Sequence, residues 1–456
     1  MRSELLGTGV RPKRSSAARR TKGGRAGWFI VLLAAGAHAA LPERANQPLS
    51  LHAKSGMKVE VSLLGSKSVV GEASASRMLF RRGVGLAGHA HDFEYRVVPN
   101  GIEDYVHFAA RPAEERISYR LDVSGVAGLR LVEGTLELLD AGGAPRLRAQ
   151  RPFIVDAQGR RSAARLTVRG CRYDASGVAP WGRAVVPPGA RTCRVEITWG
   201  TALGTPVAYP AQLDPAWVDA STMVYPRNDH SAVRLATGKV LVAGGYLDPT
   251  TSTYTTTAEL YDPTSKTWAA TTSMNHGRAH FGMVVLGAPK AGQVLAAASD
   301  NDGLPTAEVY DPTSAAWLDT GAMQLPRDTV AIATLGNGKV LVAGGCTAFS
   351  DTNCSALASS SEVYDPTSNG WTASKNAMSE PRIYFTLTSL GGGSALATGG
   401  CTAFSDNFVC NTTSATADLY DPATDKWTAT NPLPVSLQNH VAVVLCSGIV
   451  LAAAGT

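Results

Sequence analysis

The sequence has 456 residues, a length that favours two or more domains over one compact core. Apolar residues make up 44% of the chain and charged residues 17%, which excludes a disordered chain kept soluble by charge. The formal net charge of +5 would suggest an acidic partner such as nucleic acid if it were evenly distributed. Glycine and proline are frequent between short apolar runs, a composition typical of an all-β fold with many turns.

The positive charge is concentrated at the start of the chain. Residues 1–39 hold eight Lys or Arg and one acidic residue, whereas the remainder holds 34 basic and 36 acidic residues. The apolar run 28–40 is too short to span a membrane comfortably, and it contains the small-residue pattern Ala37-His38-Ala39. We therefore predict a signal peptide over residues 1–39, with no transmembrane helix after cleavage; an uncleaved anchor is the alternative. The exported chain would be slightly acidic, which argues against a nucleic-acid partner.

Residues 40–210 lack any internal repeat. Segments such as "FEYRVV", "ISYRLDV" and "CRVEITW" alternate apolar and polar residues, and Pro/Gly/Asn turns separate them. This pattern predicts a β-sandwich-like domain. The domain resembles, less clearly than the region that follows, the β-rich module that precedes repeats in large bacterial exported proteins.

The second half of the chain contains a repeat of about fifty residues. Each copy has a Tyr-Asp-Pro turn and, seven residues after the tyrosine, a tryptophan. The tyrosine–tryptophan pairs are Tyr261 and Trp268, Tyr310 and Trp317, Tyr364 and Trp371, and Tyr420 and Trp427. Upstream of each tyrosine lies a "VLVAGG"-type run that ends in two glycines in three copies, Gly244-Gly245, Gly344-Gly345 and Gly399-Gly400, and in Ala298-Ser299 in the second copy.

Each copy is interpreted as four short antiparallel strands, which is the unit of a β-propeller blade. Paired glycines permit a left-handed backbone at the end of strand two, and the second copy is expected to turn differently there. An arginine opens each copy and an acidic residue precedes each tyrosine by two positions. We expect these residues to form ion pairs within or between blades with a structural role.

These motifs resemble the kelch repeat, in the form found in secreted bacterial proteins of the galactose-oxidase-like superfamily. The resemblance implies a propeller over residues 211–456. The expected full blades are 225–274, 276–323, 325–378 and 380–433, with a partial fifth at 435–456. Trp217 and Met223 repeat the tryptophan–methionine spacing, so the segment before the first copy is interpreted as an isolated fourth strand. Either this strand closes a five-bladed ring, or the sequence is cut short from a larger one; truncation is favoured.

The seven cysteines agree with export to an oxidising compartment. Near-duplicate loops predict the disulfides Cys346–Cys354 and Cys401–Cys410, and Cys171 and Cys193 form a plausible third pair. Cys446 is left over in an apolar run and is expected to be a buried thiol.

No catalytic residue, metal site or cofactor is predicted. The resemblance implies, for an enzyme of galactose-oxidase type, copper held by two tyrosines and two histidines, with one tyrosine linked to a cysteine. His230 and His280 occupy a repeated position and are interpreted as framework, while His276 and His440 are isolated. The favoured function is therefore a non-catalytic scaffold for an unknown protein or glycan, outside the cell, at its surface or in the periplasm; a copper-radical oxidase is the alternative.

Overall fold

A computed structural model describes residues 38–53, 55–74, 76–86, 89–98, 101–247, 253–350, 353–404 and 410–455. The predicted signal peptide lies outside these residues, except for residues 38 and 39 in the first strand. In the described part of the chain, no helix is long and apolar enough to cross a membrane. The fold class is all-β, as predicted.

Within the residues described above, the first domain contains seventeen strands and one short 3-10 helix at Gly200–Leu203. The strands are β1 (His38–Ala40), β2 (Leu49–His52), β3 (Lys58–Leu63), β4 (Glu72–Ser74), β5 (Arg77–Leu86), β6 (His89–Val98), β7 (Gly101–Phe108), β8 (Arg116–Asp122), β9 (Gly128–Val132), β10 (Thr135–Leu139), β11 (Pro145–Ala149), β12 (Phe153–Val155), β13 (Arg161–Ala163), β14 (Arg165–Arg169), β15 (Thr192–Thr198), β16 (Ala211–Asp214) and β17 (Ala216–Asp219).

These strands form two antiparallel sheets that share one hydrophobic core. One sheet has the order β1-β2-β3-β8-β15-β14, and the larger one contains β13-β12-β16-β7-β17-β11-β10-β9 with β6, β5 and β4 added beside β7. Strand β8 shows why they pack: Ile117, Tyr119 and Leu121 are buried and alternate with more exposed residues. Both sheets contribute alternate side chains to the same core, which is the arrangement of a sandwich.

The remaining strands form four blades and a final hairpin. They are β18 (Ser231–Arg234), β19 (Val240–Ala243), β20 (Ala258–Asp262), β21 (Thr267–Thr271), β22 (Gly282–Val285), β23 (Val294–Ala297), β24 (Ala307–Asp311), β25 (Ala316–Asp319), β26 (Ala331–Thr334), β27 (Val340–Ala343), β28 (Cys346–Ser350), β29 (Asn353–Leu357), β30 (Ser361–Asp365), β31 (Gly370–Ala373), β32 (Thr386–Ser389), β33 (Ala395–Thr398), β34 (Cys401–Phe404), β35 (Cys410–Thr413), β36 (Ala417–Asp421), β37 (Lys426–Thr430), β38 (Val441–Val444) and β39 (Val450–Ala453).

Blades 1 and 2 are the antiparallel meanders β18–β21 and β22–β25. Blade 3 contains β26, β27, β30 and β31, and blade 4 contains β32, β33, β36 and β37; the hairpins β28–β29 and β34–β35 interrupt them between strands two and three. The first strands of successive blades lie side by side, from β18 through β22, β26 and β32 to β38. The connections from strand two to three and from one blade to the next share one side of this array, here called the loop face.

Two buried side chains join the first domain to blade 1. Arg130 and Glu137 form a 2.6 Å ion pair with no exposed side-chain surface. Arg130 donates to the carbonyl of Ala270 at 2.8 Å, and the amide of Ala270 donates to Glu137 at 2.8 Å. The two side chains therefore form with β21 the two backbone hydrogen bonds that a neighbouring strand would otherwise form.

The interpretation of Trp217 as a propeller strand is wrong. Trp217 lies in β17, which pairs with β7 and β11 in the first domain, and its side chain is buried in that domain's core. The structure therefore assigns this segment to the sandwich rather than to a blade. The tryptophan–methionine spacing was a coincidence, because strand pairing and not spacing decides which sheet holds a strand.

The expectation of a buried Cys446 is also wrong, because its side chain is exposed. Cys446 lies between β38 and β39, a two-stranded sheet in the described residues. Val441, Val443 and Ile449 of this hairpin are more than half exposed. An apolar run is buried only where another sheet packs against it, and no described sheet covers this face.

Candidate functional site

The repeated arginine and acidic residue form an ion pair within each blade, which settles the open choice between pairing within and between blades. All eight side chains are at most 1% exposed. The pairs are Arg227–Glu259 (2.7 Å), Arg278–Glu308 (3.1 Å), Arg327–Glu362 (3.1 Å) and Arg382–Asp418 (2.7 Å). Their burial makes them part of the framework, out of reach of a ligand.

Each pair also holds the backbone at the loop face. In blade 3, Arg327 donates to the carbonyls of Gly344 and Ser360 at 2.9 and 3.0 Å. Glu362 accepts the backbone N–H groups of Gln324 and Leu325, at 2.6 and 3.3 Å. Full hydrogen bonding of both charges is what allows them to be buried. The pair thereby fixes where the long loop leaves and re-enters the blade.

The repeated tyrosines and tryptophans pack against each other across strands three and four of each blade, with ring planes inclined by 42° to 58°. The ring centroids are separated by 5.0 Å in Tyr261–Trp268, 4.9 Å in Tyr310–Trp317, 5.2 Å in Tyr364–Trp371 and 5.2 Å in Tyr420–Trp427. The indole N–H of Trp317 donates to the carbonyl of Thr272 in the preceding blade at 3.0 Å. These aromatic pairs therefore join blades and belong to the framework.

The paired glycines connect neighbouring blades at the loop face. All six have positive φ angles, between 64° and 106°. The second glycine donates its N–H to the next blade: Gly245 to Arg278, Gly345 to Arg382 and Gly400 to Leu437, at 2.7 to 3.0 Å. A side chain on the first glycine would collide with that blade, since a Cβ at Gly344 would lie 2.7 Å from the ring of Phe385.

The expectation that blade 2 turns differently is wrong. Ala298 and Ser299 adopt the same left-handed conformation, with φ of 75° and 52°, and Ser299 donates to the carbonyl of Arg327 at 2.7 Å. Val330 of blade 3 packs in the same cluster as Ala298. The equivalent residues of blades 2 and 4 are Phe281 and Phe385, which lie against Gly244 and Gly344. The smaller valine leaves room for the methyl group of Ala298.

Three disulfides join the predicted cysteine pairs, Cys171–Cys193, Cys346–Cys354 and Cys401–Cys410. The second and third close the hairpins β28–β29 and β34–β35 on the loop face. Cys346 exchanges backbone hydrogen bonds with Asp328, at 2.8 and 2.9 Å, and Cys401 does so with Ile383. Each cross-linked hairpin is therefore tied to the backbone that enters strand one of its blade.

Five equivalent residues, each two positions after the start of a repeat, have positive φ angles of 51° to 56°. They are Asp229, His280, Thr329, Tyr384 and Asn439. Non-glycine residues rarely adopt this conformation, and a β-branched residue such as Thr329 is strained there. Unlike the framework positions, these five differ in chemistry from blade to blade, so the fold repeats the backbone while the side chains vary.

Some of these side chains meet residues from the loops to form what we call the loop-face cluster. It consists of Asp229, Tyr246, Tyr254, His280, Asp328 and Tyr384. His280 lies 3.5 Å from a carboxylate oxygen of Asp229 and 3.8 Å from one of Asp328. The hydroxyl of Tyr254 donates to Asp328 at 3.2 Å. The cluster therefore joins side chains from four blades.

Burial shapes the electrostatics of the cluster. It raises the pKa of Asp328, while His280 and the hydroxyls of Thr329 and Tyr254 partly oppose this increase. Burial, followed by the nearby negative charge of Asp328, also raises the pKa of Tyr254. The tyrosines therefore stay protonated near neutral pH and act as aromatic surfaces and hydrogen-bonding groups rather than as bases.

The side chains that the structure describes are not arranged as the copper site of a galactose-oxidase-type enzyme would require. Among the described residues, no group of three or more His, Cys, Asp or Glu is placed to hold a metal ion. His276 contacts Asp300 at 2.9 Å, and His440 contacts Thr386 and Thr398 at 3.1 Å. Six of the seven cysteines are in disulfides, so a cross-link to a cluster tyrosine has no neighbouring thiol.

The sequence-based interpretation located the framework but missed most of this cluster. The prediction that His230 and His280 share a repeated framework position is wrong, because His280 is equivalent to Asp229 and lies beside two carboxylates. No motif in the sequence indicates a role for Tyr246, Tyr254, Asp328 or Tyr384. The available signal was the position two residues after each repeat arginine, which is aligned in all copies yet changes from Asp to His, Thr and Tyr.

Comparison with known proteins supports the blade assignment. The Kelch motif model matches residues 226–275, which contain blade 1. No curated protein matches the chain. The solved structure of YjhT is 14% identical, with 53% of this chain and 81% of that chain covered and a TM-score of 0.42. A fungal alcohol oxidase of the AA5 family in complex with copper is 15% identical, with 85% and 72% covered and a TM-score of 0.40.

Proposed function

We propose that this chain is an exported, non-catalytic binding protein that holds a protein or glycan ligand at the loop face of its kelch-type blades. It would act at the cell surface or in the extracellular or periplasmic space, in the manner of secreted bacterial proteins of this type. The three disulfides support an oxidising compartment, and the basic, apolar start of the sequence supports export.

The observation that carries this proposal is the loop-face cluster. Rigid blades support it, because buried ion pairs and inter-blade hydrogen bonds fix the backbone on either side of each loop. Its members two positions after each repeat arginine differ between blades, whereas the ion-pair, tyrosine and tryptophan positions of the framework keep one chemical type in all four blades. Variable side chains on a rigid repeated frame are typical of recognition surfaces.

Two experiments test the proposal. The full exported chain is screened against immobilised glycans and peptides, and hits are repeated with Asp229→Ala and Tyr384→Ala. Lys375→Ala is the control, since the Lys375 ammonium donates to the backbone carbonyl of Thr424 in blade 4 and the residue is not part of the cluster. We expect at least one ligand whose binding falls in the cluster variants and not in the control. In parallel, the protein is loaded with copper and assayed for peroxide on sugars and alcohols. Stoichiometric copper with turnover would overturn a non-catalytic role.

A further inference from the structure

We propose that the loop-face cluster recognises a positively charged alkylammonium or guanidinium group. The inference rests on the proposed function, because it names the chemical class of ligand that the same surface would hold. A free organic cation and a Lys or Arg side chain of a partner present the same chemistry, and the experiment below distinguishes them.

The aromatic rings of the cluster form a corner rather than a flat platform. Tyr246 and Tyr254 meet edge to face, with centroids 5.1 Å apart and ring planes at 88°. Tyr246 and His280 are separated by 5.8 Å at 66°. A cation gains attraction from each ring face that it contacts, and such contacts strengthen when water is displaced. A sugar ring stacks best on one open, flat ring, and the perpendicular arrangement disfavours it.

Two carboxylates lie beside this corner. The side chain of Asp229 is 43% exposed, and that of Asp328 is 13% exposed. Asp328 accepts hydrogen bonds from Tyr254 and Thr329, so its carboxyl oxygens are held in place close to the rings. Asp229 retains open surface on which an ammonium or guanidinium group could donate hydrogen bonds.

Tyr384 is a third tyrosine, and it interacts electrostatically with Asp229 and Asp328. Its pKa is raised by burial first, and then by the negative charges of Asp328 and Asp229 and by the neighbouring Tyr246. Tyr384 comes from blade 4, whereas Tyr246 and Tyr254 come from the long loop of blade 1. Tyr384 therefore interacts electrostatically with acidic and aromatic members of the cluster that come from blades 1 and 3.

The charge of the propeller favours the same ligand class. Residues 217–456 hold 11 Lys or Arg and 19 Asp or Glu, which gives a formal net charge of −8. Four of the arginines and their four acidic partners are buried as neutral pairs, so the excess of eight negative charges belongs to the other residues. An acidic field of this kind attracts cations and repels anionic ligands, phosphates included.

The test uses isothermal titration calorimetry on the full exported chain with defined probes. Tetramethylammonium and arginine amide represent free cations, a twelve-residue Lys/Arg peptide represents a protein partner, and 3,3-dimethylbutan-1-ol is the neutral isostere. We expect saturable binding of a cationic probe and none of the neutral one. Tight binding of the peptide with weak binding of the small cations would identify a protein side chain as the source.

Variants locate the binding. Tyr246→Leu removes one face of the corner and is expected to weaken the cation by about tenfold, whereas Tyr246→Phe retains the ring and the affinity. Asp229→Asn should also weaken binding, and Asp302→Asn, which removes an exposed charge from a blade 2 loop on the same face, should not. Unfolding by circular dichroism verifies that each variant is folded.

Three results would overturn the inference: equal binding of the neutral isostere, unchanged binding in Tyr246→Leu, or equal losses in Asp229→Asn and Asp302→Asn. Absence of cation binding together with a neutral ligand that is lost in Tyr246→Leu would reject the cationic class and leave the proposed function intact. Absence of every ligand in both screens would reject both.

Discussion

The hydroxyl group of Tyr254, on the long loop of blade 1, donates a 3.2 Å hydrogen bond to the carboxylate of Asp328 at the entry to blade 3. The contact joins the loop of blade 1 directly to the segment that enters blade 3, although blade 2 lies between them in the sequence. It depends on the framework, because the backbone of Asp328 exchanges hydrogen bonds with that of Cys346. The preceding residue, Arg327, is fixed in turn by its hydrogen bond to the carbonyl of Gly344. The predictions below test that dependence from the framework upward.

The ion pair in blade 3 should be essential for stability. Arg327→Met would leave Glu362 buried without its cationic partner, and breaking a buried pair in this way costs about 3–5 kcal/mol. Urea unfolding at pH 7 measures the change. Arg327→Lys keeps the charge but loses the forked geometry, so it should fall between the parent and Arg327→Met. An unchanged unfolding midpoint in Arg327→Met would contradict the structural role of the pair.

Substitution of the first glycine in a pair should be costly. Gly344→Ala would place a methyl group 2.6 Å from the carbonyl oxygen of Arg382 and 2.7 Å from the ring of Phe385, in a left-handed conformation. Overpacking and backbone strain together predict a loss of about 2–4 kcal/mol, measured by thermal and urea unfolding.

Ala298→Gly in blade 2 is the matched reverse change. It relieves left-handed strain but loses a buried methyl group and adds freedom to the unfolded chain, so its effect should be within about 1 kcal/mol of zero. A large loss from Ala298→Gly, or none from Gly344→Ala, would show that the blade interface does not discriminate as described.

The disulfide Cys346–Cys354 should support both stability and the loop-face cluster. Replacing both cysteines by serine frees a short loop and should cost about 2 kcal/mol. Because Cys346 pairs with the backbone of Asp328, ligand affinity should fall as well. Serine substitution of Cys171 and Cys193, in the first domain, should lower stability without changing affinity; equal losses of affinity would contradict the local role.

A buried carboxyl group in the first domain predicts a pH dependence. Burial, helped by the negative charge of Glu103, raises the pKa of Asp214 to about 7. The folded form then binds a proton that the unfolded form has already lost above pH 4, so the stability that this group contributes declines as pH rises from about 4 through 7. Asp214→Asn should flatten this decline.

Urea unfolding of the parent protein and of Asp214→Asn at pH 5, 6.5 and 8 tests whether stability falls as pH rises. We expect Asp214→Asn to exceed the parent at pH 8 by about 1–4 kcal/mol and the difference to shrink toward pH 5. A parent that gains stability over this range while Asp214→Asn does not would contradict the raised pKa of the carboxyl group.

The framework could be predicted from sequence because the same residue types recur at the same spacing. Tyr364 with Trp371 and Gly344 with Gly345 occupy positions that every blade needs for the same physical reason. The turn of blade 2 could not be predicted, because tolerance of Ala298 depends on Val330 in the next blade. A compensating pair across an interface leaves no periodic signal.

The loop-face cluster escaped prediction for a related reason. Its residues lie far apart in sequence, and those two positions after each repeat arginine (Asp229, His280 and Tyr384) change chemistry from blade to blade. For Cys446 and Trp217 the local sequence pattern was clear, but it did not show which sheet, if any, would pack against them. Sequence periodicity thus identified the blades, whereas contacts between blades determined the candidate site.

The central claim, that the loop-face cluster is a binding site for a cationic group, is most directly tested by NMR of the full chain with ¹³C-labelled tyrosine rings. Tyr246→Phe and Tyr254→Phe assign the two signals. Titration with tetramethylammonium should shift both ring signals saturably, and 3,3-dimethylbutan-1-ol should not. Unchanged Tyr246 and Tyr254 signals at saturating cation, or shifts confined to tyrosines of the framework such as Tyr310, would contradict the account.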